Sequence, residues 1–212
     1  MRKRKAGARG ALARAQCRLP FIKAVIREKR HLAGHERKVT MDAPNIVIRK
    51  IDNNDIASVQ NFLLGQLQDL FSQAGQSAIT DDVWGLAKLY IEPDRNQMWA
   101  AFSLEGAVIG TIAICEYNDR IAVLKGRYPG KTTAEIGRCY IEKTLRRQGI
   151  GSRLLKEVEA FCYEKEYEII YLHTHRFLPG GFHFWEKQGF RIVVEEEGDA
   201  QIVHMEKSVV SK

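Results

Sequence analysis

Paired cysteines, long apolar runs and an evenly spread charge are all missing from this chain. The four cysteines, Cys17, Cys115, Cys139 and Cys162, stand far apart with no CxxC pair. That excludes a disulfide framework or a cysteine zinc cage, and reads as small thiols in a reducing, cytoplasmic setting. The longest uncharged apolar stretch, Ala107 to Cys115, falls far short of the ~20 residues of a membrane span. No apolar core of roughly 7–15 residues follows the positive start, so a secretory signal is excluded too. After residue 40 there is no internal repeat and no low-complexity tract.

What is present is a globular composition, 45% hydrophobic and 28% charged, over 212 residues, enough for one ordinary α/β core. The net charge of +7 is concentrated. Residues 1–40 hold 13 of the 33 lysines and arginines and two of the 26 acids, leaving −4 for the remainder. Phosphate-backbone attraction is therefore not expected of the folded part, and nucleic acid is expected only through residues 1–40, if at all. Three readings of that segment are open: a basic, mostly disordered arm; a presequence rich in Arg and Ala; or a non-native start, because Met41-Asp42-Ala43-Pro44 resembles a fresh beginning. The expected division is a basic extension, 1–40, and a folded domain, 41–212.

Ordered patterning starts at Asn45. Ile46, Val47, Ile48 and Ile51 predict a strand, and Asn53-Asn54-Asp55 a helix cap. Ile56, Val59, Leu63, Leu67 and Leu70 recur at helical period. A second helix is predicted over 83–90, stopped by Pro93, and a hairpin over 98–104 and 107–117, turning at Glu105-Gly106. Then follow a strand (133–142), a helix (150–165), a strand (169–173), a short helix (181–187) and two closing strands (190–195, 200–206). Hairpins followed by a strand–helix–strand unit predict a mixed α/β sheet.

The informative stretch is Arg146-Arg147-Gln148-Gly149-Ile150-Gly151-Ser152, between a strand and an amphipathic helix whose apolar face is Leu154, Leu155, Val158, Phe161 and Cys162. Glycines there let a ligand approach the backbone, and the unpaired first-turn N–H groups favour an anion. With two arginines beside them they suit a pyrophosphate. The loop is neither a Walker A loop nor a Rossmann fingerprint. A simple strand-to-helix turn is the competing reading.

Arg146-x-x-Gly149-x-Gly151 resembles the pyrophosphate loop of the GCN5-related N-acetyltransferase (GNAT) superfamily. Phe184-Trp185-Glu186-Lys187-Gln188-Gly189-Phe190 is similar to its second signature, and the element order matches along residues 45–207. The resemblance implies a central mixed, mostly antiparallel sheet, splayed between strands 4 and 5, with helices on both faces. Acetyl-CoA would be the co-substrate, lying in the gap, with no metal. The main chain of Arg147, Gln148, Gly149, Ile150, Gly151 and Ser152, together with Arg146, would cradle the pyrophosphate, while Tyr140 and Ile141 would run beside pantetheine. The Cys139 amide would stabilise the oxyanion, its thiol being a packing group. Glu135, in Ala134-Glu135-Ile136, would be the general base, its pKa raised by burial, acting directly or through water; a solvated or Arg138-paired carboxylate is the alternative.

One departure matters. Many members place a tyrosine at the Trp185 position to protonate the leaving thiolate, and an indole cannot. Tyr140, Tyr171 and His183 are candidates for that role. The family's Asn before this helix is replaced by Leu178. His173 and His175 share a strand face, but no acid or cysteine completes a metal set; His175 and Arg176 are expected to line the cleft mouth. The implied acceptor is a small-molecule amine or a peptide amino group, in a cleft walled by the first two helices and the loop before strand 4. Asp81, Asp82, Glu116 and Asp119 are available to attract its charge. A non-catalytic acyl-CoA-binding module is the rival reading, and a homodimer is left open.

Overall fold

The computed structural model describes residues 46–73, 81–128 and 132–209; the expectations about residues 1–40 lie outside them. Among the described residues, seven strands form one sheet in the order β1-β2-β3-β4-β5-β7-β6. In chain order these are β1 (Val47–Lys50), β2 (Gln97–Phe102), β3 (Val108–Glu116), β4 (Thr133–Ile141), β5 (Ile169–His175), β6 (Arg191–Glu195) and β7 (Ile202–Ser208). All neighbours are antiparallel except β4 and β5, which run parallel. Helices α1 (Ile56–Gln73), α2 (Asp81–Trp84) and α3 (Leu86–Tyr90) cover one face; α4 (Ile150–Glu164) and α5 (Gly181–Lys187) cover the other. The fold is the mixed α/β architecture that the resemblance implied.

Strand alternation builds the two cores. Trp99, Ile112, Ile114, Ala134, Ile136, Ile170 and Leu172 point to α4, whose Leu154, Leu155, Val158, Phe161 and Cys162 are buried against them. Met98, Ala100, Phe102 and Ala113 point the other way, to Val59, Leu63 and Leu67 of α1.

Most element ends shift by one or two residues from expectation, β7 running over Ile202–Ser208 where 200–206 was expected, and two differences have a clear cause. The helix predicted over 83–90 is broken at Gly85, which caps α3 at φ −108°, ψ 25°; glycine is the weakest helix former after proline. Strand β5 continues two residues past His173, because Thr174 and His175 pair with Val203 and Ile202 of β7.

The feature that shapes the site is the seam between β4 and β5. Their register runs only from Thr133↔Ile169 to Ile136↔Leu172, and beyond it the strands part. The cause sits on the other edge of β4. There Thr111↔Tyr140 follows Ala113↔Gly137, so β4 carries one residue more than β3. Arg138 takes the left-handed conformation at φ 50°, and the hydroxyl of fully buried Thr111 donates to its carbonyl at 2.8 Å. Such a bulge bends its strand and increases twist.

Candidate functional site

Where β4 leaves β5, a cleft of about 1330 Å³ opens between the ends of these strands, the start of α4 and the 178–188 segment. Cys139, Tyr140, Ile141, Arg146, Arg147, Gly149, Ile150, Gly151 and Ser152 all line it. Gln148 does not; its side chain is exposed and turns back to the Thr144 carbonyl at 3.5 Å. Glu135 is absent from this lining as well and belongs to the opposite face of the sheet.

The α4 N-terminus follows from local sequence. Gly149 occupies the cap at φ 81°, a conformation that glycine adopts without a Cβ clash. No side chain caps the helix, and the first intrahelical bond runs from the Arg153 N–H to the Gly149 carbonyl at 3.0 Å. The N–H groups before it are left for an anion. A Cβ on Gly149 would point into open space, whereas one on Gly151 would meet the Phe184 ring at 3.3 Å. Arg147, at φ 63°, holds a second strained turn beside the first. Arg146 braces the rim by donating from Nε to the Ile141 carbonyl at 3.1 Å. Gln188 ties α5 to α4 with a 3.2 Å bond to the Ser152 hydroxyl.

Burial pushes the Cys139 thiol up to about 12, so it is neutral at physiological pH and is no thiolate nucleophile. Trp185 is buried, its ring packed on Phe184 and Phe190 at centroid distances of 4.8 and 5.3 Å.

On the opposite face, buried Glu135 is gripped by Arg120, whose Nη1 and Nη2 reach both carboxylate oxygens, the latter at 2.9 Å. His173 Nδ1 lies 3.5 Å from Oε1. Burial would raise the Glu135 pKa, but the hydrogen bonds from His173 and Arg120 and the Arg120 charge outweigh it, and the net direction is down. The partner is therefore Arg120, not Arg138, and the direction is opposite to that expected from burial alone. Arg138 instead pairs with Asp82, through Nε at 2.7 Å and through Nη2. Asp119 accepts the Gly126 N–H, and Glu116 lies 3.6 Å from Arg95. Three of the four acids expected to attract a cation thus have partners already. Of the candidate proton donors, Tyr140 lines the cleft and burial raises its pKa. Tyr171 is fully buried with its hydroxyl on His204 at 2.7 Å, and exposed His183 lies against Glu186 at 3.0 Å.

Residues 61–190, well over half of the chain, match the family model described as the acetyltransferase (GNAT) family. The chain belongs to the GNAT family. None of the curated proteins compared with it matches. Among solved structures, this GNAT chain is similar to a GNAT-family acetyltransferase from Staphylococcus aureus Mu50: 17% identity, TM-score 0.63, 78% of this chain and 99% of that one covered. It is also similar to an aminoglycoside 6'-N-acetyltransferase complexed with coenzyme A, at 16% identity and TM-score 0.58, with 78% and 98% covered. A third relative in fold is the PaiA N-acetyltransferase of Thermoplasma acidophilum in complex with coenzyme A, at 20% identity and TM-score 0.54, with 77% and 99% covered.

Sequence reasoning missed Arg120, Gly110, Thr174 and the 178–181 turn. Gly110 had a faint signal, a glycine inside a strand pattern: a Cβ there would meet Ile141 Cδ1 at 2.8 Å and the Tyr140 carbonyl at 3.2 Å. Arg120 had none, since it sits in a polar loop 15 residues from Glu135. Among the described residues, no three His, Cys, Asp or Glu side chains gather where they would hold a metal ion, and no helix is long and apolar enough to cross a membrane.

Proposed function

We propose that the folded part of this chain transfers an acetyl group from acetyl-CoA to a primary amine by direct attack. The observation that supports this most is the uncapped α4 N-terminus, with Gly149 left-handed and open space before it, facing the gap between β4 and β5. Main-chain N–H groups of residues 147–152, with Arg146 and Arg147, would hold the pyrophosphate. Tyr140 and Ile141 would line the pantetheine path, where β4 is paired with β3 but no longer with β5. The Cys139 N–H would receive the thioester oxygen as it gains charge, a contact whose loss typically costs about 100-fold or more in rate. Acetyl-CoA supplies the activated acyl carbon and a thiol leaving group. The amine would approach from the α1–α3 face, opposite the cleft.

Glu135 is the base in this reading, acting through water, because Arg120 and His173 engage its carboxylate. Held ionised, it would orient and polarise the water that passes an incoming ammonium's proton on to solvent and exposes the lone pair. The test is thiol release from acetyl-CoA with spermidine, benzylamine and a lysine peptide. Release with any one of them supports the reading, and its loss in Glu135→Gln supports the assignment of the base.

Two observations favour a second reading, a non-catalytic acyl-CoA-binding module: the buried indole of Trp185 in place of a phenol, and the double grip of Arg120 on Glu135. CoA binding by calorimetry with no thiol release on any of the three amines would select it.

A further inference from the structure

His175 ends β5 on the acceptor side of the gap. It lies three residues past Leu172, the last β5 residue in register with β4. Cys139 lies three residues past Ile136, the matching residue on β4, with one of the three taken up by the bulge. His175 and the Cys139 amide are therefore level along the sheet to within about one strand rise, ~3.3 Å. Glu135 is registered with Tyr171, three to four rises back, about 10–13 Å. Thr174 faces the cofactor cleft, so strand alternation turns His175 to the other face, and its ring meets Phe71 of α1 edge-on at 5.5 Å.

The ring is also fixed chemically. Nδ1 lies 2.6 Å from the Ala200 carbonyl oxygen. A carbonyl oxygen only accepts, so Nδ1 carries the proton and Nε2 presents a lone pair. Phe71 packs from α1 and Phe177 from the following turn, the latter at 4.9 Å. The Ala200 carbonyl reaches in from the β6–β7 turn, and His173 on the same strand is the titratable neighbour, at 6.4 Å between centroids. Burial, opposed by the Ala200 bond and aided by His173, holds the His175 pKa below its ordinary value. The ring is neutral at physiological pH.

We propose that His175 is the proton carrier of the acetyl transfer, taking a proton from the attacking nitrogen at Nε2 and returning it to the departing sulfur. The proposal rests on the acetyltransferase reading and supplies the role that Trp185 cannot fill. The balance is complete. The neutral amine's lone pair forms the C–N bond, leaving a positively charged nitrogen and a negatively charged oxygen. Nε2 removes the nitrogen's extra proton, the oxygen's electrons reform the carbonyl, the C–S bond breaks, and the thiolate takes the proton from the imidazolium. An acceptor that arrives as an ammonium loses its first proton to solvent through the water that ionised Glu135 orients.

The test uses His175→Ala and His175→Asn, the latter keeping a donor for the Ala200 carbonyl and hence the local fold. Both are expected to bind CoA as the wild type does and to lose about 100-fold in kcat for thiol release, within the usual range for a general acid–base. Added imidazole should restore part of the rate of His175→Ala. Nitrogen NMR of the histidine side chains in the wild type should show Nδ1 protonated and Nε2 bare, with the Nε2 shift moving when CoA is added. Variants that retain the rate while the wild type is active would overturn the proposal alone, as would a proton on Nε2 of the free protein. A wild type that binds CoA and releases no thiol with any of the three amines would overturn the acetyltransferase reading, and this proposal with it.

Discussion

At Gly149 the backbone φ is 81° and a Cβ would meet nothing, so the space in front of the helix end is open to a ligand. A β-branched side chain at that φ strains the turn by about 1–2 kcal/mol and projects into the ligand's path. Gly149→Val is expected to weaken CoA binding by at least about tenfold in calorimetry, ~1.4 kcal/mol, with an unchanged far-UV spectrum; unchanged affinity would mean the pyrophosphate binds elsewhere. Arg120 is a positioning residue. Removing its charge leaves His173 alone to oppose burial at Glu135, so Arg120→Gln should raise the carboxyl pKa and move the acidic limb of the kcat/KM profile to higher pH. A limb that stays in place would show that Glu135 does not set it. At this scale the sequence was readable where chemistry is local: Gly149, Gly151 and Ser152 fall within four residues at the start of a periodic helix. Arg120–Glu135 and His175–Ala200 join distant segments through side-chain direction, which no spacing encodes.

Elements were legible because apolar periods are strong. Leu154, Leu155, Val158, Phe161 and Cys162 marked the α4 face, and all are buried. Capping was less so. Asp55 sits at the start of α1, where its carbonyl accepts the Val59 N–H at 2.9 Å, yet its carboxylate turns backward to the Asp52 N–H and to both terminal nitrogens of Arg49. The parting of β4 from β5 was implied by the family resemblance and not by periodicity, because a bulge is one extra residue in an otherwise regular strand. The β7 strand carries a test of its own. Buried Glu206 receives bonds from Arg127, Tyr128 and Arg191 at 3.2, 3.0 and 2.9 Å. Burial would raise its pKa, but these partners bring it below the ordinary value. A depressed carboxyl pKa gives stability that is complete above the unfolded value, about 4.3, and lost as pH falls through the folded one. Urea midpoints should therefore drop as pH is lowered below about 4.3, and less steeply in Glu206→Gln than in the wild type.

At the scale of the whole chain, charge is distributed unevenly along the sequence. The basic excess lies in residues 1–40, and among the described residues two hydrophobic cores are built within 46–209. A chain beginning at Met41 should keep CoA affinity and thermal midpoint, while any salt-sensitive DNA or RNA binding by the full chain, read by electrophoretic shift, should vanish with the segment. If CoA affinity fell instead, residues 1–40 would contribute to the site. The sheet is two antiparallel blocks stitched by four parallel residue pairs. Under the proposed reading, an acyl-CoA lying in the gap would add rungs to that ladder, and the folded state would be completed by its own reactant. Mass action then links endurance to supply: at a hundredfold excess over Kd, occupancy adds about 2.7 kcal/mol.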